Sequence, residues 1–409
     1  MTNYEELKWR GLVKDEAGDV ESLINKGGFS FYWGTDPTAD SLHIGHYSSL
    51  VTAKRLAKMG NHPVLLVGGA TGLIGDPRPT AEREIISIDT VMNNVESIKN
   101  QVINIFDGNC EVVNNYDWMK DMDLITFLRD TGKYINVNYM LDKDIIRRRL
   151  ETGITFAEFS YTLMQGYDFL HLFKEKNVVL QAEGSDQWGN ITTGIDLIRK
   201  VEGKEAYGIT MPLILDANGN KFGKSEGNAL WLDKNKTSPY ELYQYLINSS
   251  DTKVEEYLKV FTFLTKEEII DIMERHNECP EKRIAQEMLA HEFIRDLHGE
   301  EDYQEALKIS KSLFSGDIKN LNVKEIEMAF KGIPSYEISE DTSLVDLLVD
   351  ANVVSSKREA REFITNNAIS INGDKINDLE FVVNRNVAID DKYIIIRRGK
   401  KKYHVVKFN

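Results

Sequence analysis

Residues 29–69, FSFYWGTDPTADSLHIGHYSSLVTAKRLAKMGNHPVLLVGG, contain the pattern that decides the fold. The runs FSFYWG (29–34) and PVLLVGG (63–69) are short and apolar, as expected of buried strands. Between them, Ile44 to Met59 has helical spacing and is followed by Gly60, a common helix terminator. A helix between two buried strands predicts a strand-helix-strand unit with parallel strands.

The same alternation returns between residues 161 and 201. YTLMQGYDFLHLFKEKN (161–177) has helical spacing, VVLQAEG (178–184) is predicted as a buried strand, and QWGNITTGIDLIRKV (187–201) is helical again. We therefore predict an α/β fold whose first half is a doubly wound, Rossmann-like parallel sheet.

The second half of the chain does not continue the alternation of strands and helices. SPYELYQYLINSS, TKEEIIDIMERH and KRIAQEMLAHEFIRDLHG all have helical periodicity, which predicts an all-helical region. KGIPSYEISEDTS (331–343) lacks periodicity and predicts a linker. After it, the helical KREAREFITNN and the strand-like AISING and KYIIIRR predict a small α+β domain.

Length and charge limit the possible classes of protein. The 409 residues exceed the size at which one hydrophobic core stops growing, so two or three domains are expected. The net charge of −15 excludes a uniformly basic surface, although residues 351–409 carry twelve Lys/Arg against seven Asp/Glu. Any contact with nucleic acid must therefore use local basic patches, of which the tail is the best candidate.

Cysteine content and hydropathy point to a cytoplasmic protein. Cys110 and Cys279 are the only cysteines, and they form neither a Cys-x-x-Cys pair nor a disulfide framework. The start of the chain lacks the apolar core of a signal peptide, and 18 apolar residues never run together. We expect no metal-ligand cluster and no membrane segment.

Two histidines lie where the first predicted strand gives way to its helix. The start of a helix presents free backbone N–H groups to an anion, and His43 and His46 can add donors for phosphate oxygens. Gly45 leaves room for a nucleotide against the backbone. The alternative is a pair of ordinary surface or core histidines.

A second candidate is KFGKSEG (221–227), in which Lys221 and Lys224 flank a glycine. Such a loop can close over a polyphosphate and neutralise the charge of departing pyrophosphate. The alternative is a solvated surface loop. A third candidate is the set Tyr161, Gln165 and Asp168, whose spacing places all three on one face of a helix, either toward a ligand or toward water.

Several motifs, taken in order, resemble those of one enzyme family. HIGH (43–46) and KFGKS (221–225) are similar to the two signature motifs of class I aminoacyl-tRNA synthetases. GTDPTADSLHIGH, GGATGLIGDP, YTLMQGYD, GSDQWGN and KFGKSEG together resemble the bacterial tyrosyl-tRNA synthetase family. The tail resembles an RNA-binding module of the S-four type.

This resemblance implies a role for each matching residue. Tyrosine would be bound by Tyr32, Asp76, Tyr161, Gln165, Asp168 and Gln187. ATP would be bound by Gly34, Asp36, Gly45, His46, Gly184, Asp186 and Lys224. Catalysis would involve Thr38, His43, His46, Arg83, Lys221, Lys224 and Ser225. The tRNA would contact Lys357, Arg358 and Arg361.

The resemblance also implies the reaction, the partners and the domains. ATP, arriving with Mg²⁺ and without a tightly bound protein metal, and L-tyrosine would form a tyrosyl-adenylate, from which tyrosine passes to tRNA(Tyr). The implied enzyme is a homodimer. Its domains would be a catalytic part (1–225) with a dimerisation insertion near 115–160, a helical part (226–330) and an RNA-binding part (340–409). Arg147, Arg148 and Arg149 are predicted to contact tRNA phosphates or to form a solvated helix face.

The chain departs from the family pattern at three places. Trp33 replaces a smaller residue expected beside the ribose, Glu183 replaces an expected glycine, and the loop GDPRPTAER is one residue short and lacks a lysine. Arg78 and Arg83 are its remaining cations. Two rival functions stay open: a tryptophan-specific relative, and an RNA-binding protein that has kept the fold without catalysis.

Overall fold

A computed structural model of the chain describes residues 1–77, 86–150, 153–225, 228–399 and 402–409. Its internal contacts divide it into two units, one of residues 1–237 with 248–297 and one of residues 238–247 with 298–409. The predicted helical region 226–330 is shared between these units, and the division into three domains stays a prediction.

The first unit is organised around a six-stranded sheet in the described residues. Its strands are β1 Glu16–Ala17, β2 Ser30–Thr35, β3 His62–Val67, β4 Glu111–Asn114, β5 Val178–Gly184 and β6 Tyr207–Met211. They lie in the order β1-β6-β5-β2-β3-β4, and all neighbours are parallel except β1 and β6. The predicted doubly wound parallel sheet is confirmed, and its strand order reverses between β2 and β5.

Helices connect these strands. In chain order they are α1 Asn3–Trp9, α2 Val20–Lys26, α3 Ile44–Lys58, α4 Gly69–Ile74, α5 Ile88–Ile105, α6 Tyr116–Met119, α7 Leu124–Asp130, α8 Val137–Leu141, α9 Asp144–Leu150, α10 Phe156–Lys176 and α11 Trp188–Glu202. A short antiparallel pair, β7 Lys224–Ser225 and β8 Asn228–Ala229, follows β6.

Covered faces explain why β2 is apolar along most of its length. Phe31, Tyr32 and Trp33 point alternately to the two faces of the sheet and are each at most 1% exposed. Tyr32 packs into a core with Phe169 of α10 and Leu197 of α11. The strand therefore places Tyr32 three residues before its last residue, Thr35, and packing holds the side chain there.

The predicted helical region is confirmed from residue 239 onward. It contains α12 Pro239–Ile247, α13 Val254–Phe261, α14 Lys266–Glu278, α15 Ile284–His298, α16 Glu300–Ser315 and α17 Val323–Ala329. α12 packs against α16 within the second unit, whereas α13 packs against α3 within the first.

The end of the chain forms the expected small α+β structure. Its elements are β9 Ser335–Ile338, β10 Thr342–Ser343, α18 Leu344–Asp350, α19 Lys357–Thr365, β11 Ile369–Ile371, β12 Asp374–Lys375, β13 Val382–Val383, β14 Tyr393–Arg398 and β15 Lys402–Phe408. Five of these strands form a sheet in the order β12-β11-β14-β15-β9.

The linker prediction for residues 331–343 is wrong at Ser335–Ile338. These residues form β9, which pairs in parallel with β15 at the edge of the sheet. Below this sheet, Ile395 and Val405 pack on Ile309 of α16 and Ile326 of α17. Helices α16 and α17 and the five-stranded sheet thus share one hydrophobic core. Among the described residues, no helix is both long and apolar enough to span a membrane.

Candidate active site at the carboxyl ends of the parallel strands

A cavity of about 640 Å³ opens where β2, β5 and β6 end. This is the point at which the strand order reverses, where open α/β sheets bind their ligands. The predicted site residues that line it are Tyr32, Gly34, Asp36, Thr38, His43, Gly45, His46, Asp76, Tyr161, Gln165, Asp168, Gly184, Asp186, Gln187 and Lys221. Arg83 lies outside the described residues, as do the side chains of Lys224 and Ser225.

One end of the cavity combines a buried hydroxyl with a buried carboxyl group. Tyr32 packs edge-on against Phe169, and its hydroxyl has no hydrogen-bond partner among the described residues. Asp168 accepts hydrogen bonds from Asn115 Nδ2 (3.0 Å) and Trp118 Nε1 (2.9 Å). Burial raises the pKa of Asp168 to about 8, although the two hydrogen bonds act in the opposite direction. This end can therefore bind another hydroxyl group.

A second carboxyl group, Asp36, joins three elements of the site. It accepts hydrogen bonds from Tyr161 Oη of α10 (2.9 Å) and from Thr71 Oγ1 of α4 (2.8 Å). Burial raises the pKa of Tyr161 well above its usual value, and the charge of Asp36 adds to this effect. Tyr161 therefore stays protonated and orients Asp36. Helix α10 presents Tyr161, Gln165 and Asp168 to the same cavity, as their spacing predicts.

An amide network lines the wall formed by α10 and α11. Asn190 Nδ2 donates to Oε1 of Gln165 (2.8 Å) and to Oε1 of Gln187 (2.9 Å). Asn190 Oδ1 in turn accepts from Thr162 Oγ1 at 2.9 Å, and Gln187 Nε2 donates to Asp76 Oδ2 at 3.1 Å. The Asn190 side chain thus fixes the orientation of two amides that face the cavity.

The two histidines stack at the start of α3. The Gly45 N–H donates to Nδ1 of His43 (3.1 Å), the His43 N–H donates to Nδ1 of His46 (3.3 Å), and the ring centroids are 3.8 Å apart. Because each Nδ1 accepts, each neutral ring carries its proton on Nε2. Burial, with His43 and Lys221 nearby, lowers the pKa of His46 to about 3. At neutral pH His46 can donate a hydrogen bond but brings no charge.

The KFGKS loop packs directly on this first turn of α3. Gly223 has φ +92°, and a Cβ atom there would lie 1.6 Å from Cγ2 of Ile44. The Phe222 ring stacks on Phe261 with centroids 4.9 Å apart, and the Phe222 N–H donates to the Ile214 carbonyl (2.9 Å). The two motifs, far apart in sequence, are thus in contact, and Lys221 faces the cavity between them.

Comparisons with known proteins agree with this geometry. The family model for class I tRNA synthetases (W and Y) matches residues 25–315, and the model for the tyrosine--tRNA ligase SYY-like C-terminal domain matches residues 325–406. A tyrosine--tRNA ligase of Streptococcus gordonii is 48% identical over 419 residues and covers 100% of both chains. Tyrosine--tRNA ligase 1 of Bacillus cereus is 49% identical over 418 residues with the same coverage.

The chain belongs to the class I tyrosyl-tRNA synthetase family. A crystal structure of a C-terminally truncated mitochondrial tyrosyl-tRNA synthetase from Aspergillus nidulans also matches, with a TM-score of 0.69 and 33% identity. That match covers 76% of this chain and 94% of the fungal chain. Members of the family are aminoacyl-tRNA synthetases, which form an aminoacyl-adenylate and then charge tRNA.

Two departures from the synthetase pattern lie in the cavity wall. Trp33 is buried, and its Nε1 donates to Oγ of Ser49 on α3 at 2.9 Å. Glu183, at the end of β5, accepts a hydrogen bond from the Gly34 N–H. Both substituted side chains are therefore held by neighbouring elements of the synthetase fold.

Sequence reasoning missed the residues that hold the predicted ones in place. Asn115 and Trp118 lie in NNYDW, a segment without periodicity, and only the fold brings them to Asp168. Thr71 lies in the quoted motif GGATGLIGDP and Asn190 in GSDQWGN. Their presence in those motifs could have marked both as site residues, but a motif alone does not identify their hydrogen-bond partners.

The basic residues of the C-terminal region differ in how exposed they are. Lys357, Arg358 and Arg361 are exposed on α19, where Lys357 Nζ lies 2.6 Å from Oδ1 of Asp346. Arg398 Nη1 instead donates to the Val353 carbonyl. Lys400 and Lys401, which follow Arg398 in the basic run RRGKKK (397–402), lie outside the described residues.

Arg149 is part of a buried ion pair and is 4% exposed. Its Nη1 and Nη2 atoms donate to the two carboxylate oxygens of Glu158 at 2.9 and 2.8 Å. Both predicted roles of Arg149, a tRNA contact and a solvated helix face, are therefore wrong, because its guanidinium group is buried and paired with Glu158.

Proposed function

We propose that this chain attaches L-tyrosine to tRNA(Tyr) in two steps, through an enzyme-bound tyrosyl-adenylate formed from ATP. The observation that carries the choice of amino acid is the buried, unpartnered hydroxyl of Tyr32 beside the carboxyl group of Asp168. The names of the full-length relatives from Streptococcus gordonii and Bacillus cereus support the same choice.

The phenol of the substrate would complete the hydrogen bonding at this end of the cavity. A tyrosine hydroxyl can donate to Asp168 and bond with Tyr32, whereas phenylalanine would leave the Tyr32 hydroxyl without a partner and would give Asp168 no further donor. Tryptophan offers no hydroxyl group for this pair. The pocket therefore favours tyrosine over either aromatic rival.

The remaining walls would hold the reacting groups of the amino acid. Asp76, Tyr161 and Gln165 supply acceptors suited to the ammonium group, and Gln187 supplies an amide for the carboxylate. Holding both substrates in place converts a bimolecular reaction into an effectively unimolecular one. The Asn190 network supports this assignment because it fixes Gln165 and Gln187 together.

In the first step, a tyrosine carboxylate oxygen forms a bond to the α-phosphorus of ATP. The bond from that phosphorus to the bridging oxygen breaks, and pyrophosphate leaves with the electron pair. Thr38 and the neutral imidazoles of His43 and His46 can donate hydrogen bonds to phosphate oxygens. Lys221 and Lys224 supply positive charge as pyrophosphate departs, and Arg83 would add to it. Ser225 and Gly45 belong to the two segments that enclose the phosphates.

ATP would be positioned by its ribose and its phosphates. Gly34, Asp36, Gly184 and Asp186 lie at the ends of β2 and β5, where the ribose is expected. Mg²⁺ would arrive as part of the ATP complex, since phosphate oxygens and water satisfy its coordination.

In the second step, a terminal ribose hydroxyl of tRNA would attack the tyrosyl carbonyl, and AMP would leave with its phosphate oxygen. Lys357, Arg358 and Arg361 are proposed to hold tRNA phosphates. Their exposure on α19 and the match to a C-terminal domain model of this family support that role.

We further propose that the enzyme is a homodimer. Several apolar side chains within residues 115–160 are exposed, namely Leu124, Ile125, Val137, Leu150 and Phe156. Large apolar side chains that are exposed within one segment of the chain support an interface there. A cytoplasmic location fits the two free thiols of Cys110 and Cys279.

Amino-acid-dependent exchange of pyrophosphate into ATP tests the proposed function. We expect exchange with tyrosine, and far slower exchange with phenylalanine or tryptophan at equal concentration. Exchange driven best by tryptophan would refute the choice of amino acid. An absence of exchange with all three, under conditions where the chain still binds tRNA, would instead identify an RNA-binding protein without catalysis.

A further inference from the structure

Glu183 is a buried carboxyl group at the point where the strand order reverses. The backbone pairing of β2 with β5 ends at Tyr32 and Gln181. Beyond that point the Gly34 N–H donates to Oε1 of Glu183 at 2.5 Å, so the side chain bridges the two strands. Glu183 is 4% exposed and lines the cavity.

The hydrogen bonding of this carboxyl group is incomplete. Among the described residues, Glu183 makes no other hydrogen bond, and no cation pairs with it. Asp36 and Asp186 lie near enough to add negative potential, and burial together with these charges raises the pKa of Glu183 well above its usual range. Because Glu183 lines the cavity and only its Oε1 has a hydrogen-bond partner among the described residues, a ligand in the cavity can complete the hydrogen bonding of the carboxyl group.

A hydroxyl group is the ligand chemistry that fits best. An ammonium group would suit only the ionised carboxylate, and a phosphate only the protonated acid. A hydroxyl can donate to the carboxylate or accept from the acid, so it satisfies Glu183 in either state. The candidate sources in the proposed reaction are the ribose of ATP and the phenol of tyrosine.

We propose that Glu183 binds a ribose hydroxyl of ATP and thereby selects for the ribonucleotide. It adjoins Gly184 and lies beside Asp186, the residues assigned to ATP, whereas the phenol is assigned to Tyr32 and Asp168. Acidic side chains near strand ends bind ribose hydroxyls in other nucleotide-binding sheets. This inference rests on the proposed function, and it gives a role to a residue that departs from the family pattern.

A comparison of ATP with 2′-deoxy-ATP and 3′-deoxy-ATP tests the inference in the full chain. In the unsubstituted enzyme, we expect one analogue to lower kcat/KM for adenylate formation about fivefold to a hundredfold, as for leaving a desolvated hydrogen-bonding group without its partner. In Glu183→Ala, ATP should be used that much less well, and discrimination against that analogue should disappear.

Two further variants separate binding from a structural effect. Glu183→Gln keeps an acceptor for the Gly34 N–H and a polar group toward the cavity, so it should retain part of the discrimination even if Glu183→Ala misfolds. Glu175→Gln, an exposed glutamate of α10, should behave as the unsubstituted enzyme.

The outcomes separate the assignments. Equal losses with ATP and both analogues in the Glu183 variants, or no discrimination by the unsubstituted enzyme, would overturn the ribose assignment. A change in the ratio of tyrosine to phenylalanine activation instead would identify the phenol as the ligand and also overturn it. Exchange by the unsubstituted enzyme with tyrosine tests the proposed function separately, since it does not depend on Glu183.

Discussion

Replacing Tyr32 by Phe should lower the selectivity for tyrosine over phenylalanine and raise the stability of the free enzyme. The Tyr32 hydroxyl is buried near the side chain of Gln181, yet it makes no hydrogen bond of normal geometry to a described residue. In the free enzyme this group has lost its contact with water without gaining a partner. In the tyrosine complex it gains the substrate phenol. The same hydroxyl therefore costs stability before binding and contributes affinity afterwards.

The size of each effect follows from the hydrogen bonding. A hydrogen bond between two uncharged groups is worth about 1 kcal/mol net, so Tyr32→Phe should lower kcat/KM for tyrosine roughly fivefold. Phenylalanine makes no such bond, so its kcat/KM should stay constant or rise. The ratio of kcat/KM for tyrosine to kcat/KM for phenylalanine should therefore fall roughly fivefold. Removing an unpaired buried hydroxyl should raise the free energy of unfolding by about 1 kcal/mol.

Pyrophosphate exchange with tyrosine and with phenylalanine measures the ratio, and thermal unfolding of the same samples measures stability. Tyr336→Phe is the matched control, because Tyr336 lies on the edge strand β9 and is 36% exposed. It should change neither quantity. An unchanged ratio in Tyr32→Phe would refute the phenol contact, and a fall in melting temperature would refute the unpaired state of the hydroxyl.

Three further variants test other parts of the site. Asn190→Ala should raise KM for tyrosine and lower kcat, each about tenfold, because Gln165 and Gln187 lose a shared partner; single-turnover kinetics that match the unsubstituted enzyme would contradict this. Below a pH of about 8, Asp168 is mainly protonated and is a weaker acceptor for the hydrogen bond from the phenol, so kcat/KM for tyrosine should rise with pH up to the pKa of Asp168. The ratio of unsubstituted enzyme to Asp168→Asn, measured across pH 6 to about 9, cancels the substrate's own titration and should show this rise. Gly223→Ala should slow adenylate formation more than tenfold with tyrosine binding retained, since its φ of +92° and the overlap with Ile44 displace the loop.

The fold was predictable where strands are buried on both faces. β2 and β3 are mainly apolar, and β5 is apolar apart from Gln181, Glu183 and its final glycine. Helix α3 ends one residue before its predicted end, and α11 begins and ends one residue after its predicted bounds. β4 and β6 were missed because EVVN and YGITM are only four and five residues long, too short for a clear periodicity. The edge strand β9 was missed because SYEI follows a proline and pairs only with a segment at the very end of the chain.

The site was predictable only as far as motifs reach. The helical spacing of Tyr161, Gln165 and Asp168 predicts a shared face, and the cavity contains all three. Neither spacing nor motif predicts that Asn115 and Trp118 converge on Asp168, because they come from a different element. Burial, which shifts the pKa of Asp168 upward, is likewise a property of the packed structure.

The division of labour between the two signature motifs follows from the electrostatics of the first turn of α3. His46, with its pKa lowered to about 3, is neutral at neutral pH, so it can orient phosphate oxygens without neutralising their charge. In the proposed reaction, the protein's positive charge toward departing pyrophosphate would then come from the lysines of the KFGKS loop, together with Arg83. The position of that loop depends on Gly223 against Ile44 and on Phe222 against Phe261. A change that disturbs this packing while both lysines remain should therefore impair adenylate formation in the same way as loss of the lysines themselves.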